Sequence, residues 1–326
     1  MSKTTTFCFA ATATAAFASG HAAPPPAART PGQLVDALHA AFGQHPARAV
    51  HAKGIILVGA FAPSPHAASL TRAPHLQHTA SKLIVRFSDF TGVPDIADNN
   101  AGANPRGIAL RFSLPDGGST DLVAHSFNGF PTATSDEFHD LLMAIAASGP
   151  AAAKPTPLDT FLGAHPIAKT FLTTQKTPAS YASISYFGVN SFLVTNQAGV
   201  SRYIRYQLVP ENGEHTLTAG EAAQLGANYL QDEIKARVTA RPFRFTLYAQ
   251  LAEHGDRIDN PSIAWPDTRP RVVLGTITIS SLAVNTPEQD RSLAFNPNNL
   301  PDGIAIADPM LELRARAYPV SASQRK

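Results

Sequence analysis

Eight short segments rich in β-branched and aromatic residues limit the folds open to this chain more than any other feature. Turn residues separate them, for example the run 115–118 (PDGG) and the pair Asn212-Gly213. The segments are 55–61, 82–88, 107–114, 120–127, 180–196, 202–209, 243–251 and 272–280. Eight strands of this kind predict a closed antiparallel barrel.

Helical segments flank and interrupt these strands. Apolar residues recur at helical spacing in 33–42, and longer helical stretches are predicted at 136–147, 157–173 and 219–238. No internal repeat or low-complexity linker follows residue 30. We therefore expect one domain over residues 24–326, with an α+β fold that is mainly β.

The overall composition excludes several functional classes. With 26 Lys and Arg against 24 Asp and Glu, the formal net charge is +2, which provides no basic surface for nucleic acid or acidic membranes. No run approaches the roughly 20 apolar residues of a membrane span. The single cysteine, Cys8, excludes an intrachain disulfide and a cysteine-based zinc site.

The first 23 residues have the composition of a secretory signal peptide. One lysine is followed by a stretch of Ala, Thr and Phe, then by small residues before Pro24. Cleavage near Ala22 or Ala23 would remove Cys8 and place the protein in the periplasm or outside the cell. The apolar run is weak, so a flexible extension of a cytoplasmic protein stays open.

Four blocks of sequence carry the functional signal. They are residues 48–59 (RAVHAKGIILVG), 85–88 (VRFS), 104–123 (from NPRG to DLV) and 300–318 (LPDGI, then DPMLELRARAY). In this order and spacing, the blocks resemble the heme catalases. The resemblance implies an eight-stranded antiparallel β-barrel of the heme-catalase type with helical insertions, and ferric heme b as the cofactor.

The last block contains an arginine and a tyrosine suited to heme binding. Arg314 and Tyr318 stand at i and i+4, so on a helix the guanidinium can reach the phenol oxygen. A nearby permanent cation and a ferric ion both favour a phenolate. Alone, the pair is more typical of a surface helix. Within the catalase-like block, the resemblance implies that Tyr318 is the axial iron ligand, as tyrosinate is in catalases.

The first two blocks supply an acid/base residue for the opposite face of the heme. An imidazole can take a proton from one peroxide oxygen and return it to the other, and the resemblance assigns this role to His51. Ser88 matches the hydroxyl that orients the imidazole ring. The alternatives are a core histidine and a strand serine bonded to the backbone.

Other positions match the family's heme contacts. Buried heme carboxylates must be neutralised, and bidentate guanidinium groups suit them. The matching arginines are Arg48, Arg86 and Arg325. Phe130 and Phe138 are candidates for the aromatic ring above the porphyrin, with core packing as the alternative. Val50 beside His51 matches peroxide-consuming catalases and disfavours rearrangement of fatty-acid hydroperoxides.

Two features depart from typical catalases. The distal asparagine that follows the DLV run is absent, and the register places Ser126 there, with Asn128 able to substitute only if the backbone bulges. The sequence ends eight residues after Tyr318, lacking the C-terminal helical extension. Both departures resemble the catalase-related peroxidases, whose more open heme would admit organic donors.

We therefore expect a heme peroxidase that reduces hydrogen peroxide or organic hydroperoxides with a small organic electron donor. The alternatives are a true catalase, a non-enzymatic heme or gas carrier, and a ligand-binding barrel without heme. A homo-oligomer is left open. The remaining histidines show no metal-ligand spacing and are expected on the surface or in the core: His66, His75, His78, His125, His139, His165, His215 and His254.

Overall fold

The computed structural model describes residues 29–284 and 286–325. The signal peptide predicted at residues 1–23 lies outside them, as does Cys8. The helices are α1 Pro31–Phe42, α2 Ala67–Leu70, α3 Ser135–Ala146, α4 Pro157–Ala164, α5 Pro166–Thr173, α6 Ala219–Ala223, α7 Tyr229–Ala240, α8 Thr286–Ser292 and α9 Pro309–Ser323.

All eight predicted strands form, and they close into the expected antiparallel barrel. The strands are β1 Gly54–Pro63, β2 Ser81–Ser88, β3 Gly107–Ser113, β4 Ser119–His125, β5 Thr177–Pro178, β6 Tyr186–Thr195, β7 Ser201–Pro210, β8 Thr216–Leu217, β9 Phe243–Leu251, β10 Arg271–Leu282 and β11 Ile304–Ile306. Their order around the barrel is β6-β4-β3-β2-β1-β10-β9-β7, and pairing of β6 with β7 closes it. β11 pairs with β6, and β5 pairs with β8.

Alternation along the strands separates a packed interior from a functional exterior. Val85 and Phe87 of β2 and Leu110 of β3 are fully buried in the barrel core. Because successive strand residues point to opposite faces, Arg86 and Ser88 project from the outer face. Side chains fill the interior, so the main cavity forms outside the barrel.

Two of the predicted helices are each divided in two. In 157–173, Pro166 follows the end of α4 and starts α5, because proline cannot continue the backbone hydrogen bonds of α4. The segment 219–238 divides around Gly226 into α6 and α7. In the predicted strand 180–196, residues 181–183 form a 3₁₀ turn instead. Among the described residues, no helix has the length and apolarity to cross a membrane.

Candidate active site

A cavity lies between the outer face of β2–β4 and a layer formed by α1, α3 and α9. The space between its lining atoms, including the mouth, is about 1180 Å³. All ten predicted site residues line it: Arg48, Val50, His51, Arg86, Ser88, Phe130, Phe138, Arg314, Tyr318 and Arg325. The fold thus brings residues from opposite ends of the chain to one place, while their roles stay predictions.

His51 lies on the barrel wall in an unusual backbone conformation. Its φ of 57° is left-handed, which is uncommon for a residue other than glycine and is found at functional sites. Its N–H donates to the Phe90 carbonyl at 2.9 Å, and its own carbonyl accepts from Arg86 Nη1 at 2.9 Å. These two bonds hold the strained residue in place.

The His51 ring is oriented by two neighbours. Nδ1 lies 3.1 Å from Ser88 Oγ, and the Phe90 ring packs edge-on with ring centroids 5.5 Å apart. Enclosure by the protein, followed by repulsion from Arg86 and Arg314, lowers the pKa of His51 to about 3. The imidazole is therefore neutral at physiological pH and able to accept a proton.

Tyr318 comes from the helical wall and is held by a chain of polar side chains. Asp308 caps the start of α9 by accepting from the Met310 N–H at 2.9 Å. It also accepts from Asn190 Nδ2 at 2.7 Å, and Asn190 Oδ1 accepts from Arg314 at 2.8 Å. Arg314 then donates to the Tyr318 oxygen at 3.4 Å. The predicted contact between Arg314 and Tyr318 is thus present.

A cluster of arginines forms one edge of the cavity. Arg48 Nη1 donates to Asp290 Oδ2 at 2.8 Å, and Arg86 donates to both carboxylate oxygens of the same aspartate. Burial, followed by repulsion from Arg86, lowers the pKa of Arg48 to about 9 despite the attraction of Asp290. Arg325 Nη1 donates to the Leu293 carbonyl at 2.9 Å, while its buried Nε has no partner among the described residues.

Aromatic and aliphatic side chains make the rest of the cavity apolar. The rings of Phe130 and Phe138 lie 5.0 Å apart, and Arg314 stands 5.3 Å from the Phe130 ring centroid. Both phenylalanines also belong to a hydrophobic cluster outside the barrel that includes buried residues of α1 and α3, so they line the cavity and support the core at once.

The expectation for the missing distal asparagine needs correction. Ser126 lies beyond the end of β4 and does not line the cavity, and its Oγ accepts from the Arg106 N–H at 2.9 Å. Asn128 does not line it either. The side chain from this segment that reaches the cavity is that of His125, one residue earlier. The sequence-based assignment of Ser126 was therefore wrong by one residue. Because neighbouring strand residues point to opposite faces of the sheet, a shift of one residue moves the side chain away from the cavity.

Sequence reasoning missed four more residues of the site. Asn190 and Asp308 support Arg314, Phe90 packs on His51, and Asp290 pairs with two of the arginines. Asp308 immediately before Pro309 is a helix-capping signal that could have been found. The other three come from distant segments and had no local signal.

The residues present fit a heme. The cavity is apolar, and one edge carries three arginines suited to two carboxylates. A buried Arg325 Nε without a described partner is a donor that a carboxylate could satisfy. A phenol oxygen from the helical wall is available as an iron ligand. Among the described residues, no group of three His, Cys, Asp or Glu side chains could hold a metal ion.

A closed antiparallel barrel with a histidine on its outer wall and a tyrosine on the facing helical layer defines a catalase-like protein. The family model described as Catalase matches residues 33–326, and the chain belongs to the catalase family. Within it, the chain is 35% identical to a catalase-related peroxidase of Mycolicibacterium paratuberculosis, covering 91% of this chain and 95% of that one. A catalase-related peroxidase of Synechococcus elongatus is 32% identical, covering 91% and 88%.

Longer relatives that are named catalases are less similar in sequence. Catalase-2 of Bacillus subtilis is 28% identical, and the match covers 84% of this chain but 43% of that one. The crystal structure of a fungal catalase superposes with a TM-score of 0.77 at 21% identity, covering 87% of this chain and 59% of that one. Catalase A from Saccharomyces cerevisiae gives a TM-score of 0.75 at 20% identity, covering 87% and 61%. These structures share the fold.

Proposed function

We propose that this chain is a heme-dependent peroxidase that reduces hydrogen peroxide or organic hydroperoxides at the expense of a small organic electron donor. It belongs to the catalase family, and its catalase-related relatives are named as peroxidases. Tyr318 would bind the iron of heme b from the helical wall. Arg48, Arg86 and Arg325 would bind the heme carboxylates.

The observation that carries this proposal is the arrangement of His51. A neutral imidazole, held in a strained backbone conformation, has Nδ1 bonded to Ser88 and faces a cavity whose other wall provides a phenol held by Arg314. A carrier or a simple ligand-binding barrel has no use for an oriented proton acceptor at this position.

The proton path follows from the contacts of His51. For Nε2 to accept a proton, Nδ1 must carry a hydrogen, and Ser88 Oγ is placed to accept that hydrogen at 3.1 Å. Nε2 takes the proton from one peroxide oxygen and returns it to the other, which leaves as water or an alcohol. A bound heme would supply the two electrons that break the O–O bond. Two donor molecules, each giving up one electron and one proton, would restore them, so that the second oxygen also leaves as water.

Peroxidation is favoured over dismutation for a reason specific to this chain. The segment after Val123 places the imidazole of His125, and no amide, on the cavity wall. Dismutation requires a second hydrogen peroxide to be oriented and oxidised to dioxygen. The resemblance to catalases implies that an amide assists this orientation, so its replacement should impair dismutation more than the first O–O cleavage.

The test is a direct comparison of the two reactions. Purified protein loaded with hemin is mixed with hydrogen peroxide, and dioxygen release is measured beside oxidation of a phenolic or diamine dye. We expect dye oxidation to account for most of the peroxide consumed. Rapid dioxygen release without dye oxidation would identify a true catalase. Absence of a Soret band after hemin addition would exclude every heme function.

We also propose that the protein is exported to the periplasm or secreted. The support is the composition of residues 2–23, which combine one lysine, no acidic residue and a run of Ala, Thr and Phe. Fractionation of a bacterial host and the intact mass of the recovered protein test this. Protein that stays in the cytoplasm with residues 1–23 attached would contradict it.

A further inference from the structure

His125 is a buried histidine that the peroxidase mechanism above does not use. It ends β4, is 7% exposed and lines the cavity. Neither Nδ1 nor Nε2 has a hydrogen-bond partner among the described residues. Leaving a buried polar group unpaired costs free energy, so such a group requires an explanation. A ligand bound in the cavity could form a hydrogen bond with either ring nitrogen of His125.

The strand register places His125 near His51. Ser88, Gly107 and His125 lie directly opposite one another on β2, β3 and β4, so they occupy one row on the outer face. A Cβ on Gly107 would lie 2.5 Å from Ser88 Oγ and 2.7 Å from His51 Nδ1. The His51 ring therefore fills the space above Gly107, and His125 is the next position in the row, about 4.8 Å from Gly107 across the sheet.

The other neighbours of His125 offer it no hydrogen bond. The Phe130 ring lies 6.3 Å away and the Phe171 ring 6.0 Å away, measured between centroids. Burial, followed by the charge of Arg314 and by His51, lowers the pKa of His125 to about 3. The charged or titratable groups that act on it are thus Arg314 from α9 and His51. A neutral imidazole, unlike an amide, retains a lone pair that can accept a proton.

We propose that His125 is a second acid/base residue on the barrel wall, which shares with His51 the transfer of the substrate proton. This inference rests on the proposed peroxidase function. When a peroxide O–H bond breaks, the proton can pass to a ring nitrogen of either histidine, and either can return it to the departing oxygen. The exchange is balanced, because the proton removed from one oxygen is delivered to the other.

Cyanide provides a test that does not depend on turnover. Hydrogen cyanide is protonated at neutral pH and binds ferric heme as the anion, so its proton must pass either to a base in the protein or to solvent. Cyanide is added to hemin-loaded protein near pH 7.5 in dilute buffer. The Soret shift counts the cyanide bound, and a pH indicator counts the protons released.

The variants separate the two histidines. We expect the parent to retain the proton, His51→Ala to retain it as well, and the His51→Ala/His125→Gln double variant to release about one proton per cyanide bound. His51→Asn repeats the first single change with a residue that tolerates left-handed backbone. His75→Gln removes another buried histidine, located inside the barrel away from the cavity, and should behave as the parent.

The outcomes distinguish this inference from the function on which it rests. Release of the proton from both His51→Ala and His51→Asn would show that His125 does not act as a base. Retention by the double variant would assign the proton to another group and overturn the inference equally. Protein that forms no Soret band with hemin would overturn the proposed function and this inference together.

Discussion

At the scale of single residues, the site depends on a few side chains whose surroundings fix their state. His51 is neutral because it is enclosed and near two arginines, and its position requires a left-handed backbone. A chain of hydrogen bonds runs from Asp308 at the start of α9 through Asn190 and Arg314 to the phenol oxygen of Tyr318. Changes at His51 and Tyr318 should therefore affect the chemistry directly, whereas Asp308 and Asn190 also support the fold.

Replacing Tyr318 with phenylalanine should remove the axial ligand while preserving the ring. We expect Tyr318→Phe to retain little hemin after gel filtration, measured from the Soret band per mole of protein. Tyr203→Phe is the matched control, because Tyr203 is an exposed tyrosine on β7. Equal hemin retention in both variants would show that another group binds the iron.

Replacing His51 with alanine should spare heme binding and slow peroxide cleavage. We expect a decrease of about 10²-fold in the rate, the lower end of the range for a positioned acid/base residue, because His125 would still carry part of the proton transfer. Ser88→Ala should produce a smaller decrease, because it leaves His51 in place and removes one of the two contacts that orient its ring. Stopped-flow absorbance measures both. A parental rate in His51→Ala would show that peroxide cleavage does not require His51.

At the scale of elements, α8 brings a carboxylate onto the arginines predicted to bind the heme carboxylates. Asp290 pairs with Arg48 and Arg86, and although burial opposes it, these two arginines hold the pKa of Asp290 below its ordinary value. The same guanidinium groups cannot make all these contacts with Asp290 and with heme carboxylates. Helix α8 is therefore expected to compete with the cofactor at this edge of the cavity.

Removing the charge of Asp290 should therefore have opposite effects on the two forms of the protein. We expect Asp290→Asn to lower the stability of the heme-free protein by about 1.5–3 kcal/mol, the contribution of hydrogen bonds to charged groups. Hemin should bind about tenfold or more tightly. Thermal unfolding and hemin titration measure the two effects.

Asp302→Asn is the control for this prediction. Asp302 pairs with Arg72 at the surface, where ion pairs contribute little, so hemin affinity should not change. Weaker hemin binding by Asp290→Asn would show that the carboxylate supports the bound cofactor and does not compete with it.

At the scale of the whole molecule, the barrel and the cavity both enclose neutral histidines. Burial lowers the pKa of His75 inside the barrel to about 4, and those of His51 and His125 to about 3. Between these values and about 6.5, the unfolded chain binds protons that the folded chain does not. These histidines therefore reduce stability as the pH falls below about 6.5.

His75 allows this effect to be measured apart from the active site. Each such histidine contributes up to about 1.4 kcal/mol per pH unit. We expect the loss of stability between pH 7 and pH 5 to be about 2 kcal/mol smaller in His75→Gln than in the parent. Urea unfolding at the two pH values measures it. An equal loss of stability in the parent and in His75→Gln would show that His75 binds a proton in the folded protein as readily as in the unfolded chain over this pH range.

The sequence alone determined the barrel, the family and ten residues of one cavity, because strand composition, turn signals and the four motif blocks are local properties. It did not determine which side chain after Val123 lines the cavity, because the end of a strand depends on its pairing with the neighbouring strands. Pairing of Gly107 with His125 fixed that point and placed the imidazole where Ser126 was expected. Asp290 and Asn190 likewise joined the site through contacts between residues far apart in sequence, which only the packing of helices against the barrel could decide.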